Sequence, residues 1–120
     1  MKPMKSSKHI ITFRNKKQFN RVFEFGKSYV SKNLVLYALP NDLDYNRLGF
    51  IISKKVGNSV TSNRLRRILK EVYRNKKESI KDGFDMIFIV RHRASNLDYR
   101  TAEGEFVKLL KKAKIIHKGN

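Results

Sequence analysis

Between Lys54 and Lys77 the chain reads KKVGNSVTSNRLRRILKEVYRNKK, with nine basic residues and one acid, Glu71, in 24 positions. This segment carries +8 of the formal +18 of the whole chain. Set on a helix, Asn63, Arg67, Lys70, Arg74 and Lys77 recur at steps of 4, 3, 4 and 3, forming one row of hydrogen-bond donors flanked by Arg64 and Arg66. Like charges at i, i+4 oppose a helix by about 0.2–0.5 kcal/mol per pair, so the row works against folding unless an anion relieves it. Glu71 is placed to offset Arg67 and little else. Solubilising faces mix signs, whereas this row is nearly all of one sign and rich in guanidinium forks that pair with phosphate oxygens. The pattern favours nucleic acid as the partner over bare solubility. It does not separate RNA from DNA.

A second candidate surface is aromatic. Phe19 and Phe23 fall on the expected first helix and Tyr37 on a strand able to pack beside it; if exposed, such rings stack unpaired bases at about 1–3 kcal/mol each. The competing role is core filling. Spacing favours that role for Phe23 and leaves Phe19 and Tyr37 undecided between the two.

Hydrolytic chemistry finds no comparable grouping. Asp42 with Asp44 sits in a turn, Asp82 with Asp85 flanks a glycine before a strand, and Glu103 with Glu105 falls on a helix surface. His9, His92 and His117 show no metal-ligand spacing, and neither a phosphate-cradling glycine loop nor a nucleophile elbow is found. The protein alone is expected to lack catalytic activity and to need no organic cofactor, and no residues are singled out as metal ligands, which leaves metal binding by the protein itself open.

These residues need a scaffold, and 120 residues with 40% hydrophobic and 11% aromatic content suit one folded domain with one core. Absence of cysteine fits a reducing cytoplasm, and no apolar run is long enough to span a bilayer. Residues 1–11 read as a flexible basic arm, 12–116 as a single nucleic-acid-binding domain and 117–120 as a tail. Asn15 and Gln18 resemble a capping box opening a helix that Gly26 ends. SYVSKNLVLYALP and RLGFIIS read as strands pairing in an antiparallel hairpin across PNDLDYN. Ser59, Thr61 or Ser62 then caps the basic helix, whose Leu65, Ile68, Leu69, Val72 and Tyr73 face the core. FDMIFIVR reads as a strand covered on both faces. Asp98 caps a last helix with Ala102, Phe106, Leu109, Leu110 and Ala113 on one stripe. The expected class is α+β, an α/β sandwich in the order α-β-β-α-β-α, with the first strand open to division into two.

The stretch RLGFIISKKVGNSVTSNRLRRILKEVYR resembles the protein subunits of bacterial ribonuclease P. Gly49, Phe50, Ser53, Lys54, Lys55, Val56, Gly57, Asn58, Val60, Asn63, Arg64 and Arg67 match the family pattern, and FNRVFEFGKSY and FIVRHRA agree on either side. The likeness spans about residues 13–113. Ser62 departs from it, standing where the family usually has the first arginine of Arg-Asn-Arg; Ser59 and Arg66 replace a common alanine and a common lysine. The resemblance implies a left-handed βαβ crossover, although general rules favour a right-handed one. It also implies a catalytic RNA partner that holds Mg²⁺ and cleaves the 5′ leader from precursor tRNA, with no membrane and no obligate protein partner. By the same resemblance Lys54, Asn63, Arg64, Arg66, Arg67, Lys70 and Arg74 lie against that RNA. Phe19, Phe23, Tyr37, Lys55 and Arg91 grip the leader. A ribosomal or RNA-assembly protein would share the charge and size but not the leader-gripping cleft.

Overall fold

Asn15 opens the first helix from extended backbone, its side-chain oxygen accepting from the Gln18 amide at 3.0 Å. In the computed structural model, which describes residues 10–13 and 15–117, helix α1 runs Lys16–Phe25. Gly26 ends it through close approach: a Cβ there would lie 2.5 Å from the Val22 carbonyl oxygen and 2.9 Å from that of Ala38. The expected first strand divides into β1 (Lys27–Val30) and β2 (Leu34–Pro40), paired antiparallel. There follow β3 (Arg47–Ile52), α2 (Ser59–Lys76), a short 3-10 turn (Lys77–Ser79), β4 (Phe84–Val90) and α3 (Tyr99–Lys112). The architecture is the α+β sandwich read from the sequence.

Two local readings are corrected. Helix α2 is capped by Asn58, whose side chain accepts from the Thr61 amide at 3.0 Å. Ser59, Thr61 and Ser62 all lie inside the first turn, and the Ser62 amide donates to the Asn58 carbonyl. The hairpin between β2 and β3 does not form either. The strand order is β1-β2-β4-β3, with β4 antiparallel to β2 and parallel to β3. β4 takes the interior because, Asp85 apart, its side chains are apolar on both faces and a central strand is covered on both. The chain therefore crosses from β3 to β4 through α2.

Alternation divides the sheet into two faces. Leu34, Leu36, Ala38, Leu48, Met86, Phe88 and Val90 turn towards α2 and α3 and form one buried cluster with Leu65, Leu69, Val72, Tyr73, Phe106, Leu109 and Leu110. The Phe88 and Phe106 rings stack at 4.4 Å within it. Tyr37, Gly49 and Ile87 occupy one row of the opposite face, over which α1 lies with Val22 fully buried. Asp98 caps α3 as expected, accepting from Thr101 at 2.9 Å.

The polar groups that are buried are satisfied. Asn46 donates to the Tyr73 hydroxyl and the Lys81 carbonyl and accepts from the Phe84 amide, tying the start of β3 to the end of α2 and to β4. Asp85, 1% exposed, accepts from Arg47 at 2.9 and 2.8 Å and from Asn41 at 2.9 Å. Along the outer edge of β3, Leu48 exchanges backbone hydrogen bonds with Ile11 and Phe13, so this edge is partly covered. The rest of the expected arm, residues 1–9, and residues 118–120 of the tail lie outside the described residues. Among the described residues no helix is long and apolar enough to cross a membrane.

Candidate nucleic-acid interface

Leu65, Leu69, Val72 and Tyr73 bury one side of α2, which turns the basic row outward. Asn63, Arg67 and Arg74 are exposed, and Arg66, Lys70 and Lys77 are half-exposed. Own acids relieve little of this charge. Glu71 pairs with Arg74 at 3.3 Å, not with Arg67, and both groups are exposed enough for water to screen the pair. Lys76 bridges to Glu103 on α3 at 3.0 Å. Among the described residues no acid pairs with Arg66, Arg67 or Lys70. Among the described residues Arg66 reaches the side chain of Asn63, at 3.4 Å, and the Lys77 ammonium sits 5.9 Å over the Tyr73 ring. Lys54 and Lys55 are exposed between the end of β3 and the α2 cap.

Arg64 differs from its neighbours. It turns off the row and donates to the carbonyls of Leu97 at 3.0 Å and Ser95 at 2.7 Å. Its charge stays on the surface side of the molecule, but part of its donor fork is already engaged by protein.

On the other face of the sheet, α1 and Ile51 enclose an open groove of about 620 Å³ lined by Phe13, Asn15, Lys16, Phe19, Asn20 and Phe23. Phe19 meets Phe13 edge-on at 4.8 Å, and Phe23 meets Tyr37 edge-on at 4.9 Å. The depth depends on Gly49: a Cβ there would fall 2.6 Å from the Phe19 ring. Phe23 is 37% exposed, which corrects the core role that its spacing favoured. Val22 takes that place, since only one residue of this turn points straight into the sheet. Phe19 and Tyr37 are half-buried, and each presents part of its ring to the surface.

Lys55 and Arg91 do not line the groove. They lie past the ends of β3 and β4, beyond the paired Ile51 and Ile89. Arg91 donates to the Ser31 carbonyl at 3.0 Å. Ser31 and Asn33 in turn donate to the Glu105 carboxylate. Burial pushes that carboxyl up, but the hydrogen bonds from Ser31 and Asn33 outweigh it and hold Glu105 below the usual carboxylate range. Phe13, Lys16, Asn20 and Ile51 are groove residues that the sequence reading did not single out. Only Ile51 carried a signal, its alternation with core-facing Phe50 and Ile52.

Several carboxylates are engaged structurally. Asp85 holds Arg47, Glu105 holds a turn, Glu103 holds Lys76 and Asp98 caps a helix. Among the described residues no three histidine, aspartate or glutamate side chains converge as metal ligands. The arrangement is thus a cationic ridge on one element and an aromatic groove on another.

The model of the Ribonuclease P family matches residues 8–114. The chain belongs to the ribonuclease P protein family. The ribonuclease P protein component of Natranaerobius thermophilus is 48% identical over 109 residues, covering 91% of this chain and 95% of that protein. The solved ribonuclease P protein of Staphylococcus aureus superimposes with a TM-score of 0.82 at 28% identity, covering 91% of this chain and all of that one. That of Thermotoga maritima gives 0.78 at 31%, over 84% of this chain and 96% of the other. The chain is a protein component of ribonuclease P and belongs to tRNA processing.

Proposed function

We propose that the α2 ridge binds the catalytic RNA of ribonuclease P while the α1 groove takes the single-stranded 5′ leader of precursor tRNA. The observation that carries this reading is the ridge, where Arg66, Arg67 and Lys70 have no acid partner among the described residues. Phosphates are the groups that would relieve it, and each neutralised phosphate releases counterions, adding affinity that falls with salt. The groove contributes ring faces of Phe19 and Phe23 on which unpaired bases stack whatever their sequence. Lys54, Asn63, Arg64, Arg66, Arg67, Lys70 and Arg74 serve the RNA side. Phe19, Phe23, Tyr37, Lys55 and Arg91 serve the leader, the two cations past the groove receiving its phosphates.

In this division the RNA holds Mg²⁺ and performs the phosphodiester hydrolysis. Asp85, Asp98, Glu103 and Glu105 are committed to ion pairs, a helix cap and a turn, and in this reading the protein's part is to screen phosphate repulsion and dock the precursor. The test is precursor tRNA cleavage at low Mg²⁺ by a bacterial ribonuclease P RNA transcript, with and without this protein. Stimulation is expected, and the protein without RNA should cleave nothing. Binding without stimulation would instead make it an RNA-assembly protein, and cleavage by protein alone would overturn the assignment.

A further inference from the structure

The segment between β4 and α3 carries Arg91, His92 and Arg93 in succession, all exposed, and none of them pairs with an acid among the described residues. Exposed connections of this length are ordinarily loose, yet this one is held on three sides. Its own backbone forms two successive turns, with the Ala94 amide donating to the Arg91 carbonyl and the Leu97 amide to that of Ala94. Ala94 and Leu97 are buried in the main core. From the α2 side, Arg64 spans the carbonyls of Ser95 and Leu97 with the two ends of one guanidinium. A planar fork spans the two acceptors with two separate nitrogens at fixed spacing, whereas an ammonium offers its donors from one nitrogen on a freely rotating stem and holds such a pair less rigidly. Bonding to carbonyls also leaves the cation unneutralised, so the contact fixes geometry without lowering the positive potential.

We propose that Arg64 is a positioning residue: it clamps the Arg91–Asp98 connection against α2 so that His92 and Arg93 prolong the cationic ridge as a second RNA-contacting segment. This rests on the reading that the ridge takes RNA. The competing role, direct pairing of the Arg64 fork with a phosphate, would also suffer from lysine, but it would leave amide exchange in the RNA-free protein unchanged and would make the losses of Arg64 and Arg93 add.

The experiment compares wild type, Arg64→Lys, Arg93→Ala and the double variant. Amide exchange is followed in the free protein, and binding is measured to a bacterial ribonuclease P RNA transcript. Arg64→Lys should speed exchange at Ala94 and Leu97 and weaken RNA binding about tenfold despite keeping its charge. Arg93→Ala, on an exposed site that does not endanger folding, should weaken binding too. The double variant should be no weaker than the worse single one, because a displaced segment has already lost the Arg93 contact. Lysine binding as well as arginine, losses that multiply, or unchanged exchange with weakened binding would each overturn the proposal. A wild type that ignores the transcript would instead defeat the RNA reading beneath it.

Discussion

Where β3 and β4 begin, Arg47 meets the buried Asp85 carboxylate through two hydrogen bonds; where they end, Arg91 and Arg64 meet carbonyls of Ser31, Ser95 and Leu97. The residue type is the same, but the partners differ in charge. At the first end a cation and an anion cancel, and the bonds to Asp85 push the Arg47 guanidinium further up. At the second end the arginines are oriented by neutral acceptors and keep their full charge for an outside anion. Under the proposed function, one end of the sheet serves folding and the other serves binding.

That contrast is broken most directly at Arg47. Arg47→Met leaves a carboxylate at 1% exposure with Asn41 as its remaining side-chain donor, and removing one partner of such a pair costs about 3–5 kcal/mol. Urea denaturation should show this loss, whereas Arg91→Met should change stability little; equal losses would erase the difference between the ends. Next in size, Phe19→Ala should weaken binding of precursor tRNA by about 1–3 kcal/mol and leave mature tRNA unaffected. Loss for both ligands would mean that the ring serves packing over Gly49 and not the leader. Arg67→Ala should flatten the salt dependence of RNA binding by about one counterion while slightly stabilising the free protein, by relief of like-charge repulsion of roughly 0.2–0.5 kcal/mol.

The smallest effect concerns Glu105. Its carboxyl titrates lower in the folded chain than its ordinary value of 4.5, so its contribution is present above that value and lost as pH falls through the folded pKa. Glu105→Gln should remove this part of the acid dependence of stability. An unchanged acid profile in the variant would show that the turn at Ser31–Asn33 does not depend on the carboxylate.

Much of this was legible in the sequence because periodicity records burial. The α2 row, the Asn15 and Asp98 caps and the α3 stripe all follow from side chains repeating at helical spacing. The hairpin expectation failed because neighbouring strands in sequence need not be neighbours in space. The two-sided apolar character of FDMIFIV already required an interior position, and β2 and β3 stand apart to admit it. Phe23 was misread because spacing gives a face of a helix but not how far that face reaches past the sheet. Arg64 looked like its neighbours, since nothing in a single sequence shows two carbonyls converging on one side chain.

The inserted strand has a consequence for synthesis. β3 gains its parallel neighbour only when residues 84–90 have left the ribosome, and β2 waits for the same segment on its second edge. Until then the nascent chain is a cationic precursor with only β1–β2 and the Ile11–Phe13 edge contacts available to its strands. Long-range pairing of this kind folds slowly, and mutual repulsion among emerging copies would keep them apart while the middle of the sheet is still missing.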